Sequence, residues 1–95
     1  MLAGQALAKL HEAEIIHGDY TLANLLFAPN KIHVIDFGLG FFSPEIEHKA
    51  IDVLTMLKSL NVDAHYAFLR GYKHYNKYQQ VLKRLEQVKS RARYA

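Results

Sequence analysis

Leu2, Ala6, Leu7 and Leu10 recur at helical steps, which predicts an amphipathic opening helix that ends near Glu12-Ala13. Ile15-Ile16 then leads into a polar run. Leu25-Leu26-Phe27 and Lys31-Ile32-His33-Val34-Ile35 flank the turn signal Ala28-Pro29-Asn30, and this pattern predicts a two-stranded hairpin with Asp36 at a strand end. Ser43-Pro44 predicts a helix start, with serine as cap and proline in the first turn. Ile46, Ala50, Val53, Leu54 and Leu57 form the buried stripe of that helix, which should stop around Leu60-Asn61. A further helix is expected from near Asp63, with Tyr66, Leu69 and Tyr72 as packing positions and an interruption at Gly71. The last helix should run from about Lys77, with Tyr78, Val81, Leu82, Leu85 and Val88 on one face and Lys83, Arg84 and Glu86 largely off it. The reading is a mostly α-helical chain with one small β-hairpin and no internal repeat.

Ninety-five residues make one domain or part of one, and the core is correspondingly small. The absence of cysteine excludes disulfides and thiolate metal sites. Met1 to Gln5 lack a basic start before an apolar run, so no signal peptide is expected, and no apolar stretch is long enough for a membrane span. The expectation is a cytoplasmic protein. Charge divides unevenly. Acids outnumber bases eight to four from Met1 to Leu69, whereas Arg70 to Ala95 holds eight bases and the single acid Glu86. Such clustering within a net charge of only +3 favours a polyanionic partner for the basic end.

The chemistry concentrates in His17-Gly18-Asp19-Tyr20-Thr21-Leu22-Ala23-Asn24 and, after the hairpin, Asp36-Phe37-Gly38. An aspartate after a tight His-Gly turn accepts the proton of an incoming hydroxyl, an asparagine five positions on offers a side-chain oxygen to Mg²⁺, and a second aspartate holds the metal from the other side. ATP-dependent phosphoryl transfer needs this arrangement, because the charge on the γ-phosphate must be neutralised while the nucleophile lies in line. Each motif alone is weak. In the order helix, turn, hairpin, Asp-Phe-Gly and helix, they follow the C-terminal lobe of a protein kinase. Gly18 stands where eukaryotic protein kinases carry an arginine that pairs with a phosphorylated activation loop, so switching by that route is not expected. Only Leu39-Gly40-Phe41-Phe42 separates the Asp-Phe-Gly motif from the next helix start, which leaves no platform for a peptide substrate.

Several other residues invite competing readings. Glu45 and Lys49 fit a solvated helix face with local ion pairs as well as a functional one. Asp52 falls between Ile51 and Val53 on the buried stripe, where a carboxylate needs partners, and the backbone N–H groups of the catalytic turn would suit. His17 is expected to brace the turn rather than act as a base, and Gly18 and Gly38 to shape it. His11, His33, His48, His65 and His74 show no metal-ligand spacing and read as surface or packing residues. Tyr66, Phe68, Tyr72, Tyr75 and Tyr78 read as helix packing more readily than as base-stacking platforms. Arg91 and Arg93 close the chain either as a solvated helix end or as a phosphate grip.

With these residues in view, the chain resembles the kinase of the KEOPS complex, the PRPK type found in archaea and eukaryotes, over its C-terminal lobe. The match rests on Ile16-His17-Gly18-Asp19 through Thr21 and Asn24; on Ile35-Asp36-Phe37-Gly38-Leu39-Gly40; on Glu47-His48-Lys49-Ala50-Ile51-Asp52-Val53; and on Arg84-Leu85 to Ser90-Arg91-Ala92-Arg93. The resemblance implies one kinase-like C-lobe over residues 1–95, with a basic C-terminal tail at 84–95. No Gly-rich loop, strand lysine or helix glutamate precedes Met1, so the N-lobe is expected to be absent. It implies a serine/threonine kinase and ATPase that uses ATP and Mg²⁺ and supports threonylcarbamoyladenosine formation in tRNA beside the threonylcarbamoyl-transferase subunit. Asp19 would be the catalytic base, Asn24 and Asp36 the Mg²⁺ and nucleotide ligands, and Arg91 and Arg93 a tRNA contact; neither DNA nor membrane is implied. Tyr20 departs from the usual leucine and Ala92 from the usual glycine. Two rival readings are a small-molecule phosphotransferase of the aminoglycoside or choline kinase type and a non-catalytic docking module that keeps the kinase fold.

Overall fold

The computed structural model describes residues 2–94, with side chains described through Arg91. The chain is mostly helical, with two small antiparallel sheets, and is compatible with part of a kinase-like domain. Helix α1 spans Leu2–Glu12, strand β1 Ile15–Ile16, β2 Leu25–Ala28, β3 Lys31–Val34 and β4 Phe41–Phe42. Helices α2 (Ile46–Ser59), α3 (Val62–Tyr72) and α4 (Tyr78–Tyr94) follow.

Two helix pairs make the body: α1 packs on α3, and α2 on α4. Their shared core holds Leu7, Val53, Met56, Phe68, Tyr72 and Val81, all nearly inaccessible to solvent. Gly4 sets how closely the first pair approaches. A Cβ there would lie 2.0 Å from the carbonyl oxygen of Phe68 and 2.6 Å from the amide nitrogen of Tyr72, so only glycine lets α1 touch the backbone of α3. His65 of α3 ties down the end of α2: its Nε2 lies 2.8 Å from the Leu57 oxygen, which also accepts the Leu60 amide.

The expected hairpin forms with the register Leu25↔Val34 to Ala28↔Lys31. Pro29 presets the first turn position, and Asn30 takes the left-handed one at φ 64°. The second sheet was not anticipated. β1 pairs with β4, Ile15 opposite Phe42 and Ile16 opposite Phe41, and the Ser43 amide donates to the Glu14 carbonyl at 2.8 Å. Strands of two residues carry too little periodicity to be read from sequence.

Three further expectations need correction. The capping position of α2 is Glu45, without a side-chain cap bond; Ser43 lies two residues earlier and accepts the Glu45 amide at 3.1 Å. α3 is not interrupted at Gly71: the helix continues to Tyr72, with Gly71 buried where the backbone of α1 at Gly4 comes close. Tyr66 is 71% exposed and does not pack; the aromatic residues on the buried face are Phe68 and, as expected, Tyr72.

Gly4→Ala should lower stability by about 1–3 kcal/mol through overpacking at the α1–α3 crossing. Urea unfolding followed by far-UV circular dichroism measures it, and an unchanged midpoint would mean the two helices have room to part.

Candidate functional site

The sequence places a buried carboxylate beneath the turn that carries Asp19. Asp52 sits on the inner face of α2, 1% exposed. Its Oδ2 accepts the His17 amide at 2.8 Å, and its Oδ1 accepts the Gly18 amide at 3.0 Å. These charge-assisted bonds fix two consecutive peptide planes just before Asp19. The imidazole of His11 completes the set. Its Nε2 lies 3.0 Å from Asp52 Oδ2, and its Nδ1 meets the hydroxyl of Tyr72. With Asp52 as acceptor and Tyr72 as donor, the neutral Nε2–H tautomer satisfies every partner. Burial, opposed by the hydrogen bond to Asp52, holds the His11 pKa below its ordinary value.

His17 joins the turn to the second motif. Its Nε2 donates to the Ile35 carbonyl at 2.8 Å, and its Nδ1 accepts the Asp19 amide at 3.1 Å. Its ring lies tilted against Phe37, with centroids 4.6 Å apart, and meets Tyr20 edge-on at 5.6 Å. Tyr20, fully buried, donates its hydroxyl to the Ala3 carbonyl at 2.6 Å and so ties the turn to the first turn of α1. A leucine would fill this space without that bond.

Asn24 turns its amide nitrogen to Asp19, donating to the backbone carbonyl at 2.8 Å and to carboxylate Oδ2 at 3.1 Å. Its Oδ1 is thereby directed away from these acceptors. The Asn24 carbonyl accepts the Ile35 amide at 3.0 Å, so Ile35 is held from both sides, and Asp36 follows it directly. Asp36 is exposed and takes φ 59°, a left-handed conformation that aspartate tolerates better than most residues. Its Oδ1 accepts the Gly38 amide at a long 3.4 Å. The structure therefore brings Asp19 and Asn24 into direct contact and sets Asp36 one residue from their shared anchor. Among the described residues no cluster of three or more histidines and carboxylates forms a metal site; the oxygens available are one carboxamide and the aspartates.

Gly18 has φ 89°, and a Cβ there would stand 2.3 Å from the Leu39 carbonyl oxygen. The segment after Asp-Phe-Gly occupies the room an arginine side chain would need. That segment is also fastened from below. Lys49, read as an equal candidate for the solvated face, is 0% exposed, and its ammonium reaches Glu14 Oε2 at 2.6 Å and the Tyr75 hydroxyl at 2.9 Å. Burial pulls the Lys49 pKa down, and the Glu14 and Tyr75 bonds outweigh it, so the net shift is upward.

The basic end packs rather than trails. Backbone residues from Arg84 onward continue α4, and Arg84 and Arg91 both reach Glu47 of α2, at 3.1 and 2.8 Å. The Arg93 side chain lies outside the described residues. Sequence reading took His11 for a surface or packing residue, left Lys49 open, and marked Tyr20 only as a departure and Glu47 only as part of a matched run. For His11 a signal existed, since Ala3, Leu7 and His11 follow one another at four-residue steps on the buried face of α1.

No family model matches the chain. It is 40% identical over 98 residues to the probable bifunctional tRNA threonylcarbamoyladenosine biosynthesis protein of Methanosphaera stadtmanae, covering 96% of this chain and 18% of that protein. The protein of the same description from Methanosarcina mazei is 38% identical over 99 residues, covering 97% and 18%. A probable serine/threonine-protein kinase, the BUD32 homolog of Archaeoglobus fulgidus, is 36% identical over 97 residues, covering 96% of this chain and 50% of the relative. The chain thus spans half the length of the Archaeoglobus relative and under a fifth of the bifunctional ones.

The neutral, buried state of His11 sets a sign for acid sensitivity. The unfolded chain takes up a proton on this residue near pH 6.5, while the folded chain resists it, so this contribution to stability is intact above that pH and is lost as the pH falls below it. The melting temperature should fall between pH 7.5 and 5.5, and fall less steeply in His11→Gln. Equal slopes in the two proteins would contradict the neutral assignment.

Proposed function

Starting from the chain's homology, along nearly its whole length, with Bud32-type kinases and tRNA threonylcarbamoyladenosine biosynthesis proteins, we propose that it is the C-terminal lobe of such a kinase. Its task is ATP-dependent phosphoryl transfer in support of that tRNA modification. The observation that carries the reading is the pairing of Asn24 with Asp19 on a turn whose amides are held by Asp52.

Each residue then has a chemical role. The Asp19 carboxylate, oriented by the Asn24 amide, accepts the proton of the attacking hydroxyl or water. Asn24 Oδ1 and the exposed Asp36 carboxylate are hard oxygen donors suited to Mg²⁺, which characteristically takes one or two carboxylates and completes its shell with phosphate and water. ATP bound with that ion supplies the phosphoryl group. His17 keeps the two motifs in register through Ile35, Gly18 lets the Leu39 backbone come close, and the Gly38 amide points to Asp36.

Large apolar side chains left in solvent support a further lobe or subunit that covers some of them: Leu26, Phe27, Leu39 and Phe42 are mostly exposed, Phe42 by 80%. In this reading, parts that hold the ATP phosphates from above come from the additional length present in the relatives. The threonylcarbamoyl-transferase subunit and other KEOPS subunits are the proposed partners, tRNA the proposed nucleic acid and the cytoplasm the proposed setting. Among the described residues, no helix is long and apolar enough to cross a membrane. The aminoglycoside-kinase type of reading is disfavoured by the short link from Gly38 to α2, which holds only the two-residue strand β4 and no substrate-pocket helix.

Substitution of Asp36 separates catalysis from docking. Asp36→Asn keeps a side chain that tolerates the left-handed backbone and removes the charge. In the complex assembled with the transferase subunit, it should cut ATP hydrolysis about a hundredfold or more, with Asp19→Asn at least as severe. Retention of both ATP turnover and tRNA modification in the two variants would leave only the docking role standing.

A further inference from the structure

Glu47, Arg84 and Arg91 form an arrangement that the catalytic reading does not use. A single carboxylate oxygen, Glu47 Oε1, accepts from both guanidinium groups. The two arginines are seven residues apart on α4, hence about two turns and roughly 10 Å along the axis, on one face. Beside them opens a shallow cavity of about 300 Å³ lined by Ile46, Gln80, Lys83, Arg84 and Gln87. All three charged side chains touch solvent, with Arg91 62% and Arg84 44% exposed and Glu47 32%.

We infer that Glu47 is an internal stand-in for a phosphate, closing the Arg84–Arg91 pair in the free chain until an RNA phosphate displaces it. The proposal rests on the reading that the basic end meets tRNA. It extends that reading by making Arg84 part of the contact and by assigning its regulation to α2. Guanidinium forks accept carboxylate and phosphate in the same geometry, and a phosphate brings more oxygens than the one Glu47 offers. Exchange costs little, because solvent-exposed ion pairs are individually weak. The two guanidinium groups hold the Glu47 carboxyl below the usual carboxylate range, Arg91 more than Arg84, so the clasp is charged at neutral pH. An RNA strand is favoured over a single small anion because the surrounding segment, Arg70 to Ala95, holds eight bases and one acid.

Fluorescence anisotropy of the 95-residue chain with labelled tRNA and with a short single-stranded RNA, over a salt series, tests the idea. Glu47→Gln should bind about threefold to tenfold more tightly than wild type at low salt, since the competing carboxylate charge is gone. Arg84→Ala should weaken binding as much as Arg91→Ala. Circular dichroism checks that each variant keeps its helices. Unchanged or weaker binding by Glu47→Gln, while Arg91→Ala still weakens it, overturns the stand-in role and leaves the RNA contact intact. Absence of RNA binding by every protein overturns both. Competition by polyglutamate at RNA-like affinity would assign the pair to an acidic protein surface and also overturn the proposal.

Discussion

The carboxylate of Asp52 is the constraint from which the site is built. It is nearly inaccessible to water, and it survives there because its oxygens meet two backbone amides and an imidazole. Those amides belong to His17 and Gly18, so the conformation of the turn is set by a helix packed beneath it rather than by the turn itself. His11 and Tyr72 extend the network to α1 and α3, and thereby join both helix pairs to the same charge. Removing one member would strand the others in a dry environment, where an unpaired polar group costs about 1–3 kcal/mol.

From this base two linkages reach outward. His17 carries the geometry from Asp19 to Ile35, and hence to Asp36: its Nδ1 accepts the Asp19 amide and its Nε2 donates to the Ile35 carbonyl. Lys49, Glu14 and Tyr75 fasten the strand pair β1–β4 from the opposite side. The short segment after Asp-Phe-Gly is therefore ordered by a buried lysine and a two-residue ladder, in a chain whose turn glycine leaves no arginine to read a phosphorylated loop. The expectation that such switching is missing gains a structural reason in the proximity of Gly18 to Leu39.

Much of the fold was legible because it is written in periodicity. The four helices and the hairpin follow from apolar spacing, Pro29-Asn30 and the stripes around Val53 and Val81. The β1–β4 pair was not, since two residues per strand contain no repeat to detect. Tyr66 and Gly71 misled for a related reason: propensity describes a residue alone, while the α1–α3 crossing decided which aromatic went inside and let a glycine stay helical. In the site, Asp19, Asn24 and Asp36 were marked by spacing, and Asp52 by its place among apolar neighbours. Lys49 was ambiguous because its partners, Glu14 and Tyr75, lie 35 and 26 residues away, beyond any local pattern.

The crowding at Gly18 also bears on how this lineage can change. An arginine at that position is only one codon step from some glycine codons, yet it would arrive where the Leu39 backbone already stands, in a conformation that side-chain-bearing residues resist. A side chain at that position therefore requires the backbone around Leu39 to move away, so the close approach of the two segments and the absence of a side chain at residue 18 go together.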